Sequence, residues 1–151
     1  MGEPPREERA LRVDFYILPG ADAAARETFC CRLTEKAYQQ GHRVHVRTGG
    51  REQAESLNQR LWTFRAGSFV PHALTGEATA EDPVVLGDDA PAAGADVLIN
   101  MAPELPASWQ GYERIAEIVN QEPTVLANAR SNYRQFRDAG IEPTNHRIQG
   151  A

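Results

Sequence analysis

The chain has 151 residues, enough for one domain around a single core, and its 16 Lys+Arg against 21 Asp+Glu give a formal charge of −5. That balance argues against broad, backbone-driven nucleic-acid binding, although net charge averages over faces and leaves local basic patches open. No apolar run approaches the length of a membrane span, and the opening "MGEPPREERA" has no apolar signal core, so the sequence reads as a soluble, cytoplasmic protein without membrane contact.

Residues 1–10 are charged and proline-bearing and read as a flexible N-terminal tail. "VDFYIL" (Val13–Leu18) is a β-rich run closed by Pro19-Gly20, a buried first strand. Asp22 is placed to cap a helix over roughly Ala23–Gln40, with Ala25, Phe29, Leu33 and Ala37 as its apolar stripe and Gly41 as its stop. Cys30 and Cys31 fall inside that helix, where neighbouring side chains diverge, and no second cysteine pair completes a zinc or redox motif. "HRVHVRT" (His42–Thr48) predicts a second strand, and Gly49-Gly50 turns the chain into a second helix with Ala54, Leu57 and Leu61 on its apolar side. Strand–helix–strand–helix is the pattern of a parallel α/β sheet with right-handed crossovers.

Arg65–Asp82 reads as a long connection carrying Phe69, Val70, Pro71 and His72. "PVVLG" predicts a short edge strand, and "DVLINM" (Asp96–Met101) a buried one. "YERIAEIV" (Tyr112–Val119) alternates well enough for a strand, with a helix as the alternative. Pro123 opens a last helix over roughly Thr124–Ala139, Gly140 ends it, and "IEPTNHRI" is expected to lie extended on the surface. The fold class is therefore α/β: a single three-layer domain over 11–148, its sheet mainly parallel and mixed at the edge, Rossmann-like but without a phosphate-binding loop.

Chemistry is sparse along this chain. Neither strand is followed by G-x-G-x-x-G, and no G-x-x-x-x-G-K-[ST] occurs, so the nucleotide-dependent enzyme that such a fold invites has poor motif support. His42 and His45 are three residues apart along one strand and face opposite ways, while His72 and His146 lie in a loop and the tail, a poor metal set. The expectation is no catalytic residue, no metal and no cofactor.

Two features stand out. Trp62, Phe64, Phe69, Val70 and Pro71 concentrate apolar surface at a helix end and its loop, which serves either as a plug on the core or as a patch for a partner protein. In the last helix, Leu126, Ala129, Tyr133 and Phe136 form a core stripe, and Arg130, Arg134 and Arg137 form a second stripe beside it, with Tyr133 on the border. The dipole at the helix C-terminus accounts for Arg137 but not for Arg130, which sits mid-helix without an acidic helical neighbour. Lys36 is the only lysine. Arginine suits bidentate contact with carboxylates, although GC-rich coding would produce the same bias. Unpaired arginines bordering an aromatic suit an acidic peptide with an apolar end.

The residues "VDFYIL", "LTEKAYQQGHRVHV", "LNQRLWTF…SFVPHAL", "DVLIN" and "ARSNYRQFRDAGIEPTNH" together resemble the chi subunit family of the bacterial DNA polymerase III holoenzyme, from about Val13 to Ile148. The most specific element is "LW" followed shortly by "SFVPH". The resemblance implies a non-catalytic adaptor of the clamp-loader assembly that pairs with the psi subunit and binds the acidic, phenylalanine-ending C-terminal tail of single-stranded DNA-binding protein. By position, Arg130 meets the terminal carboxylate of that tail, Tyr133 walls the pocket for its phenylalanine, Arg134 faces its aspartates, and Arg137 is a further candidate. Leu126 stands where a basic residue would extend the patch. Trp62, Phe69, Val70 and Pro71 become the psi-binding surface, for which a repair helicase is a competing partner. No direct contact with nucleic acid is implied.

Overall fold

The structure is a computed structural model and describes residues 11–91 and 93–149. The anticipated flexible segment 1–10 lies outside the described residues, as do Gly150 and Ala151. The elements run β1 (Arg12–Ile17), α1 (Ala23–Gln39), β2 (Val44–Arg47), α2 (Arg51–Thr63), β3 (His72–Leu74), β4 (Val84–Gly87), β5 (Val97–Asn100), β6 (Arg114–Val119), α3 (Pro123–Asp138) and β7 (Thr144–Arg147). One seven-stranded sheet holds them in the order β3-β4-β2-β5-β6-β1-β7.

The helix signals in the sequence act as expected. Asp22 accepts from the Ala24 N–H at the start of α1, and Gly41, at φ +88°, takes the left-handed turn that ends it. Glu122 caps α3 by accepting from the Val125 N–H, Pro123 follows in the first turn, and Gly140 (φ +84°) closes it. The buried line of α1 is Cys30, Cys31, Thr34 and Glu35. The stripe Ala25, Phe29, Leu33, Ala37 lies beside it, with Phe29, Leu33 and Ala37 half-buried against the core. Both thiols are free. Burial pushes the Cys30 thiol up and that of Cys31 up to about 12, so neither is a ready nucleophile.

From β1 the chain winds through α1 and α2 to the β3 edge, then returns through α3 to β7. Right-handed crossovers running in opposite directions deliver helices to opposite faces. Alternation along the strands divides the core accordingly. Tyr16, Val44, Val46, Val97, Ile99, Ala116 and Ile118 pack under α1 and α2. Val13, Phe15, Leu98, Ile115 and Val119 pack under α3, joined by Leu105 and Tyr112 from the β5–β6 connection.

Several local expectations are corrected. Every strand pair is parallel, the edges included, so the mixed edge is not found. "PVVLG" is not an edge: β4 lies inside β3, a three-residue strand within the stretch read as a connection. Tyr112–Val119 resolves as strand from Arg114, with a single 3-10 turn at Trp109–Gly111 before it. The extended "IEPTNHRI" pairs with β1 as β7. Its sequence is polar because an edge strand buries little, and side-chain contacts hold it down. His146 meets Asp14 at 2.8 Å and stacks on Tyr16 with ring centroids 4.7 Å apart. Asp14, buried, also takes Arg12 at 3.2 Å and Arg114 at 3.5 Å.

Candidate protein-binding surfaces

Helix α3 carries the arginine stripe. Its inner side buries Phe136 against Phe15 and Trp109, with ring centroids 6.0 and 5.1 Å away, edge to face. Tyr133 is half-buried and packs edge-on against Phe15 at 5.1 Å, so it occupies the seam between core and solvent. Arg130, Arg134 and Arg137 are exposed. Of these three, only Arg137 has an acidic partner among the described residues, Glu142 at 3.5 Å. Arg130 and Arg134 therefore present uncommitted guanidinium groups beside Tyr133 on its solvent side, one helical turn apart.

A cavity of about 180 Å³ runs along the N-terminal half of α3. Val119, Val125 and Ala129 supply its apolar wall, and Arg26, Glu117, Asn128 and Asn132 its polar one. Arg130, Tyr133 and Arg134 do not line it; the flanking positions Ala129 and Asn132 do.

Beneath α3 lies a polar row that the sequence pattern did not reveal. Arg47, Asn100 and Glu117 occupy one register line across β2, β5 and β6. The Glu117 Oε2 accepts from the Asn100 Nδ2 at 3.0 Å and from the Asn132 Nδ2 of α3 at 3.3 Å, and Asn132 also reaches the Pro103 carbonyl at 3.2 Å. Arg47 donates to the Glu104 carbonyl and lies 3.5 Å from the Asn100 Oδ1. Burial pushes the Glu117 carboxyl up to about 7 against the two amide donors and the charges of Arg26 and Arg47, which favour its ionised form. The one available sequence signal was a lone carboxylate inside the apolar run "RIAEIV".

The second surface is at the other side of the sheet. Trp62 is 49% exposed at the end of α2 and Phe69 is 66% exposed on the following loop, their rings 5.8 Å apart. Pro71 is half-buried beside them. Val70, grouped with them on sequence grounds, is 0% exposed and belongs to the core. With Phe69 turned outward, Val70 turns into the core and anchors the patch without presenting itself. His72, its ring 4.3 Å from that of Trp62, lies between the carbonyls of Val70 and Asn58. The loop is tied to α1 by Glu35, which receives Arg65 at 2.7 Å and the Ser68 hydroxyl. The Ser68 hydrogen bond, followed by Arg65, holds the Glu35 carboxyl below the usual range.

His42 pairs with Asp96 at 2.5 Å, and His45 is buried between the Tyr112 hydroxyl and the Gly87 carbonyl, each at 2.9 Å. Burial pulls the His45 pKa down, consistent with a neutral ring that donates to Gly87 and accepts from Tyr112. Among the described residues no three His, Cys, Asp or Glu side chains converge to hold a metal, and no helix is long and apolar enough to cross a membrane.

A Rossmann-like domain whose prominent features are an exposed aromatic pair and an uncommitted arginine helix has the surfaces of a protein-binding module. The sequence matches the family described as DNA polymerase III chi subunit, HolC, over residues 11–144. It is 41% identical over 138 residues to the DNA polymerase III subunit chi of Pseudomonas aeruginosa, covering 91% of this chain and 96% of the relative. The subunits chi of Haemophilus influenzae and Escherichia coli are 29% and 27% identical, covering 87% and 84% of this chain and 93% and 91% of theirs. The chain belongs to the chi subunit family of DNA polymerase III.

Proposed function

We propose that this chi-family protein is a non-catalytic, cytoplasmic adaptor of the polymerase III clamp-loader assembly, with α3 as its seat for the acidic C-terminal tail of single-stranded DNA-binding protein. The observation that carries this reading is the pair Arg130 and Arg134, exposed and without acidic partners among the described residues, beside the half-buried Tyr133. Arg130 takes the terminal carboxylate and Arg134 the acidic residues before it. Tyr133 borders the place for the terminal aromatic ring. Arg137 contributes less, because Glu142 already competes for it.

Trp62, Phe69 and Pro71 form the surface for the psi subunit, or for a repair helicase that competes with it, and Val70 fixes their loop from inside. Exposed aromatics on a clamped loop are the residue type and setting in which binding energy concentrates. DNA is reached through the bound tail and not by this chain.

The test is calorimetric titration with an acidic peptide ending in Asp-Ile-Pro-Phe, with and without its free terminal carboxylate. The expected affinity is micromolar, about −7 to −8 kcal/mol, weakened by salt, by amidation and by Arg130→Ala. Equal binding by the wild type and Arg130→Ala would remove the site. Binding of a nucleotide at millimolar concentration in the same instrument would favour an enzyme on this scaffold instead.

A further inference from the structure

Glu117 is 4% exposed, yet it has no ion-pair partner among the described residues. Both of its hydrogen bonds fall on Oε2, from Asn100 and Asn132, and the residue lines the cavity along α3. The charged groups around it are Arg26 of α1, which donates to the Ile118 carbonyl at 2.8 Å, and Arg47 of β2, committed to the Glu104 carbonyl. On α3 itself, Asn132 stands between Arg130 and Tyr133 in the chain. The carboxyl is therefore tied to the tail-binding helix from below, at the very turn that carries the arginines.

We propose that Glu117 is a positioning residue for the arginine face of α3, acting through Asn132, and that binding of an acidic peptide there is coupled to the proton on Glu117. This rests on α3 being the peptide seat. The physical link has two parts. The Asn132 clamp sets where α3 lies on β6. When the carboxyl loses its proton, a negative charge appears beneath the helix and opposes the field with which the arginines attract an anionic peptide. Linkage is reciprocal, so the bound peptide makes the proton harder to remove, and binding near neutrality takes up protons. Burial places the carboxyl in the range where this matters, with its ionisation near pH 7. The Glu117 contribution is read by difference between the wild type and a variant that lacks the carboxyl.

The experiment titrates the same acidic peptide into wild type, Glu117→Gln and Asn132→Ala at pH 6, 7 and 8, in buffers of different ionisation enthalpy. Glutamine retains the acceptor for Asn100 and Asn132 and loses the charge. Wild-type affinity is expected to fall on the order of threefold between pH 6 and 8, the scale of one partly screened charge about 10 Å away. Glu117→Gln should bind at pH 8 nearly as wild type does at pH 6, with reduced proton uptake. Asn132→Ala should bind more weakly at every pH. An identical pH slope and proton uptake in wild type and Glu117→Gln would overturn the coupling. Absence of peptide binding by wild type at every pH would overturn the underlying site, and the coupling with it. Should Glu117→Gln not fold, the Glu117 carboxyl carbon of wild type can be titrated by NMR with and without peptide, and a midpoint that peptide does not raise would overturn the proposal.

Discussion

Adjacent residues of the loop 69–71 have opposite fates, and the difference is measurable. Phe69 is two-thirds exposed and Val70 not at all, because consecutive side chains of an extended segment point to opposite sides. Phe69→Ala is expected to leave the thermal unfolding curve nearly unchanged and to abolish co-purification with psi or its replacement. Val70→Ala removes two buried methyl groups and should cost roughly 1–3 kcal/mol of stability, read by denaturant titration. It reaches partner binding only through the loop it anchors. The rings of Trp62 and Phe69 do lie together, 5.8 Å apart, but the sequence had no means of saying which of the four grouped residues faces out. Solvent exposure is set by what packs behind the loop, here α2 and the sheet.

At the scale of elements, α3 shows how a helix can be legible in outline and opaque underneath. Its proline, its glycine stop and both stripes follow from local spacing, whereas its cap, Glu122, came from the structure. Asn132 lies beside the apolar stripe, and no local pattern marks its role, because its partners Glu117 and the Pro103 carbonyl lie 15 and 29 positions away in the chain. The buried carboxyl has a stability signature of its own. Glu117 keeps its proton up to about pH 7 in the folded chain and releases it near 4.5 when unfolded. The folded state therefore holds the extra proton between those values. Stability falls as pH rises from about 4.5 through 7, then levels. The contribution is at most roughly 3 kcal/mol. Glu117→Gln should flatten that part of the profile in urea titrations run from pH 5 to 8, and an unchanged profile would show that the carboxyl titrates normally.

For the whole molecule, the sheet itself separates the two surfaces. Trp62 and Phe69 sit by α2 near the β3 edge, whereas α3 covers the opposite face over β6 and β1, in a different core cluster. Sites that share no partners respond additively to mutation, usually within about 0.5 kcal/mol. The double variant Phe69→Ala/Arg130→Ala should accordingly lose both interactions by the sum of the single effects, measured as two separate binding titrations. A coupling well above that margin would mean that the sheet transmits strain between its faces.

The amino-acid sequence by itself determined the class of fold, the limits of the helices, the family and the two stretches of surface worth testing. All of these are written in spacing between near neighbours: alternation in strands, stripes in helices, caps at their ends. Only the tertiary structure decided that the sheet is parallel to both edges, that the polar "TNHR" is a strand, that Val70 is core, and that Arg47, Asn100, Glu117 and Asn132 converge under α3. The physical reason is common to these. A parallel sheet joins strands distant in sequence, and the desolvation and hydrogen bonding that fix a polar residue's role depend on those distant partners, which no local pattern records.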